Sequence, residues 1–473
     1  MKRALPTFRG RRHNARSLAL QILLACHPPV PGGKSEFVQE ILDRQLGALT
    51  GSSRPLADAD RRLVTQLVYG ILRRRGTLRA LLQPLVKRPA HRVEAWLWDA
   101  LYLGACQLAL LTHIPAHAAV HETVELAPSF GRPGARGFLN GVLRRLSELL
   151  TDEHTTTAAA DALPLEHGAY RRLARPVFPD PTAHPQQYLA AAFSLPDWLV
   201  QRWLTRYGFE ECCRLGFWFA GPAPLTLRCQ PLRCSREQLL TALHDAGYAA
   251  ESGEHPQAIR LHEPGPVRAL PGYADGWFSV QDESAMRVGS ALAPEPGETI
   301  LDLCAAPGGK TTHLAELMHN TGRIAACDVD EHRLQTVAAL AQRLGLTIIE
   351  THCLRKEHDT DVPSGLFDRV LVDVPCSNSG VLGKRPEARW RLQPSDLRHL
   401  VELQTRLLRT AVERIRPGGV IVYSTCSIEP EENQQVIEKV LKDNPDLRLE
   451  ATEDAVPGRP ADGGFWARLR RNE

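Results

Sequence analysis

Two thiols stand where chemistry is possible. In "VDVPCSNSGVLGKRPEARW", Val372 to Trp390, an apolar run ends in a loop that carries Cys376. In "VYSTCSIEPEEN", Val422 to Asn433, a second apolar run ends in a loop that carries Cys426. A free thiol is usually a small buried hydrophobe, and most of the eleven cysteines, Cys106 among them, read that way. Two thiols past the ends of two β-rich runs admit three chemistries: a redox pair, metal ligands, or a nucleophile with an assistant. The redox reading lacks Cys-x-x-Cys spacing. The metal reading lacks further ligands, since the close spacings Cys212-Cys213 and Cys229…Cys234 have no matching His or Cys pair nearby. A nucleophile must be a thiolate, which cations and helix N-termini favour, and Lys310 is a candidate cation.

Lys310 belongs to "LDLCAAPGGKTTHLAEL", which reads as a strand, a Gly-rich turn and a helix. Gly308 and Gly309 allow a ligand to approach the backbone at a helix N-terminus. Gly309-Lys310-Thr311 completes half of a P-loop, but the required first Gly falls on Cys304 and the match fails. The next β-rich run ends in "CDVD". An acid about twenty residues beyond the glycines suits ribose hydroxyls, so Asp328 is either a nucleoside ligand or a turn residue.

These loops need a scaffold. From about residue 297, "TILDLC", "RIAACD", "LTIIET", "DRVLVDV" and "GVIVYST" alternate with helical stretches. That pattern predicts a doubly wound parallel sheet, in which ligands bind at the carboxyl ends of the strands. Upstream, residues 12 to about 150 carry apolar residues at helical spacing, with Asp58 at a helix N-cap, Pro115 and Pro133 as punctuation, and Arg61, Arg62, Arg73–Arg75, Arg144 and Arg145 on outer faces. "TDEHTTTAAADALP" has linker composition. "PDWLVQRWLTRYG", "PLTLRC", "SREQLLTALHDAG" with Ser235 as N-cap, and "AIRLHE" then read as helix, strand, helix and strand. The expected organisation is a helical domain over 1–150, a linker over 151–190, a small α+β part over 191–290, and an α/β domain over 291–473.

The net charge of +3 hides an asymmetry. Residues 1–150 hold 22 Lys/Arg against 10 Asp/Glu, a balance of +12, and the remainder hold 35 against 44, a balance of −9. A basic first third fits a polyanion-binding module, and the plainer alternative is Arg residues that solvate helix faces. Eleven cysteines without a disulfide pattern fit a reducing cytoplasm. "LALQILLAC" loosely mimics a signal peptide ahead of Cys26, but its apolar core is short and broken by Gln21, while Leu18, Ile22 and Ala25 recur at helical spacing. No run approaches the roughly 20 apolar residues of a membrane span.

Taken together, "DLCAAPGGKT", "DVPCSNSG" and "YSTCSIEPEENQ" resemble the RNA cytosine-C5 methyltransferases that use S-adenosyl-L-methionine. The helical N-terminal part resembles the NusB-like domain of the Sun/Fmu (RsmB-like) type, which methylates a cytosine in small-subunit (16S) ribosomal RNA. The resemblance runs nearly the whole chain, down to "DGGFWARLR". It implies a Rossmann-like methyltransferase sheet, RNA as partner, no metal, no membrane, and a monomer. It implies that Cys426 of the T-C-S motif attacks C6 of cytosine and that Cys376 assists release. It further implies that Asp373 lies near cofactor and base, that Cys304, Ala305, Ala306, Pro307, Gly308, Gly309 and Lys310 form the cofactor loop, and that Asp328 binds its ribose. Cytosine-C5 methyltransferases acting on DNA attack instead from the Pro-Cys loop, which is the rival assignment. Lys384, Arg385, Arg389 and Arg391 are candidates for RNA phosphates, and Trp390 for stacking on a base or packing in a core. The chain departs from the family at Leu354, near an expected acid, and at Asn378, where Gly is usual.

Overall fold

The computed structural model describes residues 14–27, 37–50, 56–111, 113–222, 224–262, 265–355 and 361–473. Parts of the expected helical region, residues 12–13, 28–36 and 51–55, lie outside them. The chain divides into two compact units, Met1–Ala223 with Leu382–Arg391, and Pro224–Val381 with Leu392–Glu473.

The first unit is mainly helical: α1 (Ala15–Ala25), α2 (Val38–Thr50), α3 (Asp58–Leu82), α4 (Ala95–Leu110), α5 (Ala116–Val124), α6 (Leu126–Ser129) and α7 (Arg136–Leu149). Asn14 caps α1 in a capping box with Ser17. Asp58 is the first residue inside α3 rather than its cap, which is Ala57. Helix α4 is apolar nearly all round and is buried from Trp96 to Ala109, as a central helix must be.

The stretch 151–190, expected as a linker, is instead folded. It carries β1 (Leu150–Thr155), β2 (Ala162–Pro164) and β3 (Tyr170–Leu173), paired antiparallel in the order β1-β3-β2, and then α8 (Pro185–Phe193). Its small residues misled the reading. Ala162, Leu163, Tyr170 and Leu173 are buried, so a few apolar side chains in a Thr/Ala-rich stretch suffice for a short sheet. Helices α8 and α9 (Asp197–Ala220) join this unit rather than the α+β part that follows. Gly208, at φ +78°, breaks α9.

Two arginines expected at the surface are buried. Arg74 is 3% exposed and donates to the carbonyl oxygens of Pro164 and Leu165. Arg389, expected to face RNA, is 1% exposed. Its guanidinium donates to the carbonyls of Arg73 (2.6 Å), Phe193 and Ser194 (both 3.3 Å), Leu382 (3.4 Å) and Phe219. Phe193 and Phe219 lie in the last turns of α8 and α9, where carbonyls are short of donors and the helix dipole favours a cation. Trp390, by contrast, is 41% exposed, so it does not pack in a core.

The second unit holds two sheets. The smaller is β4 (Leu225–Cys229), β5 (Ala249–Ser252), β6 (Ala258–His262) and β7 (Phe278–Val280), antiparallel in the order β5-β6-β4-β7, with α10 (Arg236–Asp245) against it. Ser235 caps α10 in a capping box with Gln238, as its sequence predicts. The larger is β8 (Thr299–Asp302), β9 (Arg323–Asp328), β10 (Ile349–Cys353), β11 (Phe367–Asp373), β12 (Ile415–Thr425), β13 (Leu447–Ala455) and β14 (Gly464–Arg471), in the order β10-β9-β8-β11-β12-β14-β13. β8 to β12 pair parallel, and β14 runs antiparallel to both neighbours. The helices are α11 (Glu283–Leu292), α12 (Gly309–Leu317), α13 (Glu331–Leu344), α15 (Pro394–Arg414) and α16 (Gln434–Asp443); the short α14 (Ala388–Arg391) belongs to the first unit. Side chains alternate across the sheet. Val370, Val372, Ile421 and Tyr423 pack with Leu408, Val436 and Val440, whereas Leu371, Val420 and Val422 pack with Leu292, Leu314 and Leu344.

Arg389→Met keeps the apolar stem and removes every donor from those carbonyls. It is expected to cost about 1–3 kcal/mol, the penalty for leaving buried carbonyl acceptors without a donor. Chemical denaturation measures this, and a loss under about 1 kcal/mol, typical of exposed pairs, contradicts the account.

Candidate active site

The strand order reverses between β8 and β11, so their carboxyl ends border the crevice where doubly wound sheets bind ligands. Three loops meet there: 303–308 after β8, 374–381 after β11, and 426–433 after β12. Parallel pairing sets Asp373 opposite Ser424, and the pairing is extended by Val374 N–H donating to Ser424 O at 3.0 Å. The chain leaves the sheet at the same level on both strands. Cys376 Sγ and Cys426 Sγ are 3.0 Å apart.

Backbone and side chains hold the two loops together. Gly380 N–H donates to Cys426 O at 2.9 Å. A Cβ at Gly380 would meet Gly463 O at 2.5 Å and Cys426 O at 2.8 Å, so only glycine allows this approach. Asn378 takes the left-handed conformation, φ +60°, that glycine would supply and that asparagine tolerates. Its Nδ2 donates to Cys376 O at 2.9 Å, and its Oδ1 accepts from Cys426 Sγ at 3.3 Å. The departure from glycine therefore keeps a left-handed turn and adds a contact to one thiol.

Lys310, in the first turn of α12, donates to Asp373 Oδ2 at 2.7 Å, and Ser424 Oγ donates to Asp373 Oδ1 at 2.7 Å. Burial works to lower the Lys310 ammonium, but Asp373, and less strongly Cys426 and Asp302, more than offset it and leave its pKa raised. It stays a cation beside Cys426. The Cys376 thiol is pushed well up by its hydrogen bond with Cys426 and by burial. Cys304 is also pushed well up, by burial and then by Asp302, Asp373 and Asp328, so it is not a thiolate. Lys310 and Cys426 line a pocket with Ser284, Thr425, Gly464 and Phe465.

The loop Cys304–Lys310 turns at Gly308, φ +104°, where a Cβ would crowd Val337. Gly309 opens α12, and the space a Cβ would occupy there is open. A helix N-terminus with open space at Gly309 fits a nucleoside cofactor with a charged tail. Asp328 closes β9 and is 6% exposed; Oδ2 accepts from Ala306 N–H (3.2 Å) and Oδ1 from Asp330 N–H (3.1 Å). These are turn and loop bonds; Oδ2 also faces Arg333 Nη1 at 3.6 Å, and Oδ1 retains acceptor capacity. Leu354, where an acid was expected, is buried and donates its N–H to Asp328 O at 2.9 Å.

Residues not singled out in the sequence complete the frame. Arg228 of β4 is fully buried and forms a salt bridge with Glu316 of α12 (2.7 Å). It also donates to Gly309 O (2.6 Å) and Thr312 Oγ1 (3.0 Å), so the small sheet grips the helix that bears Lys310. Asp302 accepts from Thr311 Oγ1 at 2.7 Å, and burial pushes its carboxyl up to about 7 although that hydrogen bond pulls it down. Glu432 lies in the quoted "EPEEN" and is fully buried. Among the described residues, no group of three His, Cys, Asp or Glu could hold a metal ion, and no helix is long and apolar enough to cross a membrane.

This strand order, with the site-bearing loops at its switch point, defines a Rossmann-like methyltransferase fold. Three family models match: "16S rRNA methyltransferase RsmB/F" over 289–461, the NusB family over 13–148, and a ferredoxin-like domain of RsmF/B-like methyltransferases over 195–268. The chain is 37% identical to a probable ribosomal RNA small subunit methyltransferase B of Synechocystis, covering 94% of this chain and 92% of that one. It is 36% identical to the probable Bacillus subtilis protein of the same name, with coverage of 84% and 83%. The solved structure of PH0851 matches with a TM-score of 0.74 and 25% identity, covering 97% of this chain and 98% of that one. The chain belongs to the ribosomal RNA small subunit methyltransferase B (RsmB/F) family.

A carboxyl with a raised folded-state pKa holds its proton to higher pH folded than unfolded, so its contribution to stability is lost as pH climbs towards about 7. Asp302→Asn removes that dependence. Its stability relative to wild type is expected to rise by about 1–4 kcal/mol between pH 4 and 8, measured by urea denaturation. A flat difference would contradict the burial argument.

Proposed function

We propose that this chain transfers a methyl group from S-adenosyl-L-methionine to carbon 5 of a cytosine in small-subunit (16S) ribosomal RNA, through a covalent bond between Cys426 Sγ and cytosine C6. It acts as a cytoplasmic monomer, with its basic helical unit contributing to RNA affinity. The observation that carries this reading is the pair of thiols 3.0 Å apart beside the Lys310–Asp373 ion pair. Family membership and the relatives' printed names support the RNA substrate.

When bound, the cofactor supplies an electrophilic methyl group. Residues 304–310 and Asp328 hold it, the latter through ribose hydroxyls. Cytosine C5 is a poor nucleophile, so the chain activates it covalently. Cys426 gives up its proton and adds to C6, which makes C5 electron-rich enough to take the methyl group. Lys310, held as a cation by Asp373, stands beside Cys426 in the pocket. Asp373, its two oxygens fixed by Lys310 and Ser424, hydrogen-bonds the pyrimidine. After transfer, C5 carries both hydrogen and methyl. Water takes the C5 proton, the C5–C6 double bond re-forms, and the C6–S electron pair returns to Cys426, with Cys376, 3.0 Å away, assisting release of that sulfur. One proton is released per methyl group.

One feature favours Cys426 over Cys376 as nucleophile: Cys426 lines the pocket beside Lys310 and Cys376 does not.

Cys426→Ala is expected to give neither adduct nor product. Cys376→Ala is expected to attack, transfer the methyl group and stall as a protein–RNA complex that survives denaturing electrophoresis. The reverse pattern would assign attack to the Pro-Cys loop, and near-normal turnover of both variants would refute covalent catalysis. Asp328→Ala removes the ribose acceptor and should weaken cofactor binding by about 1.5–3 kcal/mol. Wild-type affinity by calorimetry in the folded variant would remove Asp328 from the cofactor site.

A further inference from the structure

We propose that Glu432 is a positioning residue for the release step, holding the Cys376 loop against the Cys426 loop so that the two thiols keep their working separation. This rests on the reading of Cys426 as nucleophile and Cys376 as the group that assists release.

Glu432 follows β12 in the turn 430–432 and has no exposed surface. Its Oε1 accepts from Ser377 N–H at 2.8 Å and from Gln404 Nε2 at 2.9 Å. Its Oε2 accepts from Ser377 Oγ at 2.5 Å and from Ser427 Oγ. Ser377 and Ser427 each follow one of the two cysteines directly. A single carboxylate thus ties down the residue after each thiol, while Gln404, on α15, also donates to Pro375 O at 2.9 Å just ahead of Cys376. Four donors on two oxygens fill the acceptor capacity of an ionised carboxylate.

The arrangement is unusual for mere packing. Burial pushes the Glu432 carboxyl up, and the hydrogen bonds from Ser377, Ser427 and Gln404 pull it down without fully offsetting that rise. Holding a charge here needs every one of those donors, and an apolar side chain would fill the space without that demand. What the carboxylate provides and an apolar residue does not is direction: fixed vectors to two serines whose neighbours react. Ser379 Oγ joins the set, 3.1 Å from Ser427 Oγ and accepting from Ile428 N–H at 2.9 Å. Glu432 hydrogen-bonds neither thiol, so it places them through the loops, and its charge adds a smaller push to the rise of the Cys376 thiol.

The test compares wild type, Cys376→Ala, Glu432→Gln and Glu432→Asp as full-length chains. Glutamine keeps the shape and one acceptor oxygen but puts an amide where two hydroxyls donate; aspartate keeps the charge one methylene short. Cofactor binding by calorimetry counts folded sites. With small-subunit RNA and S-adenosyl-L-methionine, denaturing gels then follow the lifetime of the covalent complex per folded site. Diamide, which takes two electrons and two protons from a thiol pair, reports the Cys376–Cys426 separation as the rate of disulfide closure, mapped by peptide mass spectrometry.

Glu432→Gln is expected to bind cofactor like wild type, yet to hold its adduct at least about ten-fold longer and close the disulfide at least about ten-fold more slowly, since a misplacement of about 1 Å costs on the order of 100-fold in rate. Glu432→Asp should fall between. Wild-type adduct lifetime and closure rate would overturn the proposal, as would a loss of turnover matched by an equal loss of cofactor sites, the signature of a purely structural residue. If Cys376→Ala itself leaves no adduct, the reading beneath fails and takes this inference with it. If Cys376→Ala traps the adduct and Glu432→Gln does not, the inference alone fails.

Discussion

The parallel pairing of β11 with β12 is the interaction on which the site depends. It sets Asp373 opposite Ser424. From that register the two loops leave the sheet together, and two thiols fifty residues apart in the chain come within 3.0 Å. A slip of one residue would turn Asp373 to the opposite face of the sheet, since side chains alternate along a strand. The apolar alternation of Val370 to Val372 and of Val420 to Tyr423 between two core layers is what prevents the slip.

Around that pairing, polar groups do the fine placement. Lys310 reaches Asp373 because α12 starts where it does, and α12 is anchored by a buried Arg228–Glu316 pair contributed by the small antiparallel sheet. That gives the small sheet a definite part in the site: one of its guanidinium groups touches the carbonyl of Gly309 in the turn that opens α12. Buried ion pairs are seldom the most stabilising choice. Here the same group fixes a direction, and the helix it fixes carries the ammonium beside Cys426.

Much of this was legible in the chain. The strands from "TILDLC" to "GVIVYST" stood out because each pairs an apolar run with a turn, and their β/α alternation predicts the parallel sheet that the structure has. Ser235 declared its helix through a side chain that can bond only locally. What stayed hidden was long-range. The strands of 150–173 have too few apolar residues to show a period. The final two strands were unread because β13 presents exposed residues at almost every position. Arg74 and Arg389 look like surface charge, and no local pattern announces that helix-end carbonyls from distant segments converge on Arg389. Glu432 was in plain view inside a quoted motif, but its four donors come from three separate elements.

The central claim is that a cytosine C5–H is replaced by C5–CH3 through a transient bond to this chain. The direct measurement uses small-subunit RNA labelled with tritium at cytosine C5, incubated with the protein and S-adenosyl-L-methionine, with tritium release and methylated nucleosides counted together. The account predicts one tritium released for each 5-methylcytidine formed. Methylation that leaves the tritium in place would locate the methyl group on a ring nitrogen, an exocyclic nitrogen or a ribose oxygen, and would contradict it.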